Sequence, residues 1–113
     1  MSLYLISFNY GDMQVADADM PAVAEAAHAV VREARAAGVL VFAGGVLEPR
    51  ETTVVARDGT ATDGPRAGRA EFIAGLTVVD VPSRDAALHW GAKIAASCRC
   101  AQEVREFMPG SER

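Results

Sequence analysis

Phe72-Ile73-Ala74-Gly75-Leu76-Thr77-Val78-Val79-Asp80-Val81 is the stretch that decides the fold. Side chains alternate across a strand, so Phe72, Ala74, Leu76 and Val78 point one way and Ile73, Val79 and Val81 the other. Both sets are apolar, which predicts a strand buried on both faces. Ser2–Asn9 reads in the same way, with Leu3 and Leu5 on one side and Tyr4, Ile6 and Phe8 on the other. Two such strands need cover on both faces, and the rest of the chain must provide it.

Upstream of Phe72, Tyr10–Met20 is polar and acidic and reads as a loop. Asp19 before Pro21 suits a helix start, because a carboxylate accepts the free N–H groups and proline is tolerated in the first turn. The helix runs to Ala37 and stops at Gly38. Val23, Ala27, Val30, Ala34 and Ala37 form one narrow apolar stripe on it. Val39–Leu47 is a second strand, in which Gly44-Gly45 predicts a bulge or a close backbone approach. A hairpin over Thr52–Thr62 follows, turning at Asp58-Gly59. Thr62-Asp63-Gly64-Pro65 then breaks regular structure, and the Asp63 carboxylate is expected to accept a nearby backbone N–H and fix the turn.

Downstream, Pro82-Ser83 opens a second helix, with Ser83 as its cap and Asp85 in the first turn. Its stripe is Ala87, Gly91, Ile94 and Cys98. A last strand spans about Gln102–Met108, and the polar tail beyond Pro109 is expected to fray. The order is strand, helix, strand, hairpin, strand, helix, strand. That predicts an α+β, ferredoxin-like antiparallel sheet with two helices on one face and an inserted hairpin, as one domain. Two helices leave the second apolar face bare, and a second copy packed sheet to sheet would cover it. A homodimer with an α+β barrel between the subunits is therefore expected.

Composition narrows the function classes. The chain has 113 residues, half of them hydrophobic, and a formal charge of −4 from 15 acidic and 11 basic side chains. That balance does not predict direct nucleic-acid binding, which usually needs a clustered basic field. No apolar run reaches the roughly 20 residues of a membrane span. Met1-Ser2-Leu3-Tyr4 does not read as a signal peptide, so a cytoplasmic location is expected. Cys98-Arg99-Cys100 is too short for a metal site without further ligands, and read as an extended segment its thiols face opposite ways. No phosphate-binding glycine loop or serine nucleophile elbow is present, and no cofactor or metal is expected.

Thr62-Asp63-Gly64-Pro65, Glu71, Gly75 within an apolar strand, and Glu103-Val104-Arg105 together resemble the YCII-related family, in its DGPF-domain branch. Leu47-Glu48-Pro49 before Thr52-Thr53-Val54, and Ala92-Lys93 in the second helix, fit the same branch. The resemblance spans nearly the whole chain. It implies a dimeric α+β barrel, and it implies two functional possibilities. Some relatives act as lyases or dehydrochlorinases on small ring-derived acids. The DGPF branch also occurs fused to sigma-factor-like domains, which implies a regulatory module near transcription initiation. His28 matches the family histidine. The family aspartate of an Asp-Pro pair has no counterpart, and Arg66 stands where the motif has phenylalanine.

His28 could act as a general base, since an imidazole titrates near pH ~6.5. It falls between Arg32 and Arg35, off the apolar stripe, where a solvated flank histidine is the plainer reading. His89 also reads as a surface residue. Asp63 could be a catalytic carboxylate or only a turn former. Arg57, Arg66 and Arg69 flank the Asp63 turn. Converging guanidinium groups there would clamp a carboxylate or phosphate, although Asp58 and Glu71 could balance them instead. The expected ligand is a small organic acid, held between sheet and helices near Asp63. The expected chemistry, if any, is proton transfer or elimination.

Overall fold

The computed structural model describes residues 1–113. The elements in chain order are β1 (Ser2–Asn9), α1 (Met20–Ala36), β2 (Leu40–Gly45), β3 (Thr53–Val55), β4 (Ala61–Asp63), β5 (Ile73–Val81), α2 (Arg84–Cys98) and β6 (Glu103–Glu106). The main sheet has the order β2-β5-β1-β6, with antiparallel neighbours throughout. β1 and β2 are therefore parallel with β5 between them, and β5 and β6 are parallel with β1 between them. Two interleaved split βαβ units of this kind are the ferredoxin-like fold. The chain is α+β, as its element order predicts.

The core lies between the helices and one face of the sheet. Tyr4 and Ile6 of β1 and Val79 and Val81 of β5 face Ala34 of α1 and Ala87, Trp90 and Ile94 of α2. Ile6, Val79 and Val81 are at most 1% exposed. Alanine at 34 and 87 lets the helices approach the sheet closely, and Lys93 Nζ of α2 meets Glu33 Oε1 of α1 at 2.8 Å. Gly75 is a close approach: a Cβ there would collide with the Phe8 ring on β1. The Leu5–Val78 pair across β1 and β5 alternates to the other face, where Phe42 of β2 pairs with Val78 and is 60% exposed. No helix covers that side.

Local details confirm some expectations and correct others. Ser83 caps α2, its Oγ accepting the Ala86 N–H at 3.1 Å. The stripe Ala87, Gly91, Ile94 and Cys98 is buried throughout. Asp19, in contrast, makes no capping hydrogen bond. It ends a short 3₁₀ turn, Asp17–Asp19, with φ −91° and ψ −13°. An N-cap side chain folds back from an extended backbone, which Asp19 lacks. Its carboxylate instead lies 3.7 Å from Arg99. Gly44 and Gly45 pair in register with Leu76 and Gly75, and the irregularity falls earlier, between Leu40 and Phe42.

The hairpin exists but does not turn in two residues. A five-residue connection, 56–60, joins β3 to β4. Asp58 Oδ1 accepts the Thr60 N–H at 2.9 Å, and the Ala56 N–H reaches the Thr60 carbonyl at 2.7 Å. The Thr60 N–H holds the Asp58 carboxyl below its usual range. Asp63 ends β4 and accepts no backbone N–H. The Gly64 N–H is already taken by the Thr52 carbonyl at 2.7 Å, and Asp63 receives only the Thr53 hydroxyl, at 3.3 Å. Gly64 has φ +92°, a conformation that favours glycine, so the break there is real.

Cys98 and Cys100 do not lie on an extended segment. Cys98 ends α2, and Arg99 follows it with φ 57°, so the chain reverses between the two thiols. Both are free. The tail also departs from expectation. Ser111 bonds back to the Met108 carbonyl, and Arg113 pairs with Asp80 of β5, so the last residues fold onto the body instead of fraying.

Two substitutions weigh core against cap. Ile6→Ala should cost about 2–5 kcal/mol, as fully buried large-to-small changes do. Ser83→Ala should cost about 1 kcal/mol for one lost cap. Denaturant titration of both variants checks the order, and equal losses would contradict this account of the core.

Candidate functional site

A cavity of about 480 Å³ opens between α1, the C-terminal end of α2 and the neighbouring end of the sheet. Its α1 wall is Met20, Val23, Ala24, Ala27, His28, Val31 and Arg35. These positions recur at three- and four-residue steps, so they form one continuous helical face. This face is rotated from the stripe that ends in Ala34 and Ala37. Only Val23 and Ala27 belong to both.

The opposite wall is backbone-rich. Gly44 and Gly45 of β2 and Gly75 of β5 line it, together with the Phe8 ring. Gly45 and Gly75 face the cavity, whereas a side chain at Gly44 would point to the opposite face, against Phe42. Ile94, Ser97 and Cys98 close the α2 end, with Met13 and Gln102 beside them. The volume suits a small ligand, since such sites run from about 300 to 1,000 Å³.

The polar groups in this lining share a character. Arg35 and His28 come from α1, Thr77 from β5, and Ser97, Cys98 and Gln102 from α2 and the turn after it. No aspartate or glutamate is among them. Arg35 makes no ion pair with any carboxylate, whereas its neighbours on α1 do: Arg32 binds Glu25 at 2.8 Å and Glu33 binds Lys93. The cavity therefore offers hydrogen-bond donors and one fixed positive charge in apolar surroundings.

His28 is on this cavity, at its exposed rim. Asp63 is not part of the lining, and neither are Arg57, Arg66 or Arg69. All four are exposed and lie on the β3–β4 hairpin or in the segment that follows it. Arg69 is tied down at the base of that segment. Its Nε donates to the Glu71 carbonyl at 3.0 Å, and its guanidinium lies 5.2 Å from the Phe72 ring centre. The structure thus does not bring His28 and Asp63 together within one chain. His89 is exposed, on the far side of α2, against Trp90.

Arg35 and Gln102 were not singled out from sequence as site residues, and Gly44-Gly45 reads there only as a bulge or a close backbone approach. The signal for Arg35 was present: it stands seven residues after His28, two turns along the same helical face. No sequence pattern announces Gln102, which reaches the cavity only because the chain reverses at Arg99. There its Nε2 contacts Cys100 Sγ at 3.6 Å.

The Cys98 thiol is buried, and desolvation pushes its pKa up; desolvation also raises Cys100, helped by the neighbouring Cys98. A raised thiol pKa means less thiolate at a given pH, and thiolate is the reactive form. At pH 8, Ellman's reagent should therefore label both thiols more slowly than free cysteine, and Cys100 before Cys98, which is 7% exposed. Fast and simultaneous labelling of the two would contradict this environment.

No curated protein matches the chain. A family model for the YCII-related domain matches residues 3–109, which takes in both helices and every strand described above save the first residue of β1. No helix is long and apolar enough to cross a membrane. With almost the entire chain matched, and with an α+β fold of the expected kind, this protein belongs to the YCII-related family.

Proposed function

We propose that this protein binds a small organic acid in the cavity between α1 and the sheet, as a cytoplasmic homodimer. The observation that carries the ligand class is the composition of the lining. It is largely apolar, holds no carboxylate, and presents Arg35 without an ionic partner beside His28. An anion with an apolar body satisfies both features. Its charge would meet the Arg35 guanidinium, whose planar fork matches a carboxylate. Its body would lie along Met20, Val31 and Phe8.

If the ligand is turned over, His28 is the group for proton transfer, with elimination as the reaction it would support. The imidazole is at the rim and open to solvent for proton exchange. A polar ligand face near His28 and Gln102 would be oriented by hydrogen bonds.

The homodimer rests on the uncovered side of the sheet. Leu3, Leu5, Leu76 and Val78 share that side with Phe42, while both helices lie opposite. Burying apolar area contributes about 25 cal/mol per Å². A standard interface of about 800 Å² per partner is within reach of a sheet this size. Sedimentation at micromolar concentration should give a dimer, and a monomer there would remove this part of the proposal.

Ligand binding is tested by a thermal-shift panel of small carboxylates. A bound acid should raise Tm with the logarithm of its concentration. Arg35→Ala should abolish the shift, and His28→Gln should weaken it less. No shift with any acid, or one that survives Arg35→Ala unchanged, would contradict the assignment.

A further inference from the structure

Thr77 is an isolated polar residue on the sheet side of the cavity. It lies two residues after Gly75 on β5, so its side chain faces the same way as Gly75, towards the helices. Its cross-strand partners are Ile6 of β1 and Ala43 of β2, and Val79 follows it on the same face. None of these side chains donates or accepts a hydrogen bond. Valine would suit such a place, and β5 carries valine at 78, 79 and 81. The residue present is a threonine, and it is only 7% exposed.

The Thr77 hydroxyl has no partner within the chain. Ser97, the other hydroxyl of the lining, donates to the Ile94 carbonyl at 2.9 Å, and Gln102 Nε2 lies against Cys100 Sγ. Thr77 Oγ1 makes no such bond. Nor is it sealed off, because Asp80 Oδ1 is the one fully occluded side-chain atom left unpaired. The Thr77 hydroxyl keeps some accessible surface, and the cavity adjoins it. Buried polar groups without a hydrogen bond are costly and rare. Water can serve the hydroxyl while the cavity is empty. A ligand that displaces this water must replace its hydrogen bond or strand the hydroxyl.

We infer that the ligand carries a second polar group, a hydroxyl or a carbonyl set away from its carboxylate, and that Thr77 Oγ1 hydrogen-bonds it. Arg35 takes the carboxylate from the α1 wall, and Thr77 takes the second group from the sheet, with apolar lining between them. The site therefore selects hydroxy- or oxo-acids. A plain acid of the same skeleton is discriminated against, because it leaves a buried polar group unpaired. This inference rests on the acid-binding reading above and narrows it.

Paired acids test it. The probes are straight-chain carboxylates from butanoate to octanoate, each beside its ω-hydroxy counterpart, with Kd read by calorimetry. At the chain length that spans the cavity, the hydroxy acid should bind more tightly than the plain acid. Thr77→Val should shift the ratio of the two Kd values by about 10-fold towards the plain acid, as loss of one buried hydrogen bond does. Thr77→Ser, which keeps the hydroxyl, should keep the preference. Without ligand, Thr77→Val should melt no lower than the native protein, since removing the hydroxyl strands no protein group. A clearly lower Tm would place that hydroxyl in the protein's own bonding and overturn the inference. Plain and hydroxy acids bound alike at every length, or a ratio unchanged in Thr77→Val, would overturn it and leave acid binding intact. If no acid of either series binds, the acid-binding reading falls together with the inference.

Discussion

A sheet of four strands with two helices can hide one face, and β1 and β5 are apolar on both. Everything else follows from how the chain meets that constraint. On the helix side it is met within the chain. Ile6, Val79 and Val81 are sealed by α1 and α2, whose contact residues at 34 and 87 are alanines. On the other side the chain supplies no helix, and Phe42 remains largely exposed. A second copy is the cover we propose, since pairing would bury the same apolar face on both chains at once.

The same packing creates the cavity. α1 is held to the core through Val23 and Ala34, while its neighbouring face faces β2 across a gap. Gly45 and Gly75 face that gap, and the Phe8 ring lies over Gly75. The Phe8 ring gives a local reason for glycine at 75, since it occupies the room a Cβ would need.

Short-range features were legible in the sequence. The Ser83 cap, the α2 stripe and the left-handed Gly64 each depend on a few neighbouring residues, and each is present. Features set by distant partners were not. Asp19 is a good cap by type, but a preceding 3₁₀ turn fixes its backbone and Arg99 draws its carboxylate away. The tail reads as loose because its anchor, Asp80, lies 33 residues upstream of Arg113. For the site, His28 was legible as a candidate, but its separation from Asp63 was not. Nearness in sequence to a turn says nothing about which body the turn faces, and the β3–β4 arm carries Asp63 off its own cavity. Arg35 was visible only as one more flank charge until the cavity showed which flank mattered.

The account's central claim is that the α1-side cavity holds an anion with an apolar body. Amide chemical shifts measure this residue by residue during titration of isotope-labelled protein with a small carboxylate that raises Tm. The account predicts saturable changes centred on Gly44, Gly45, Gly75 and Thr77 of the sheet and on His28 and Arg35 of α1. Changes confined to the tail around Arg113, or spread without saturation over the exposed arginines, would contradict it.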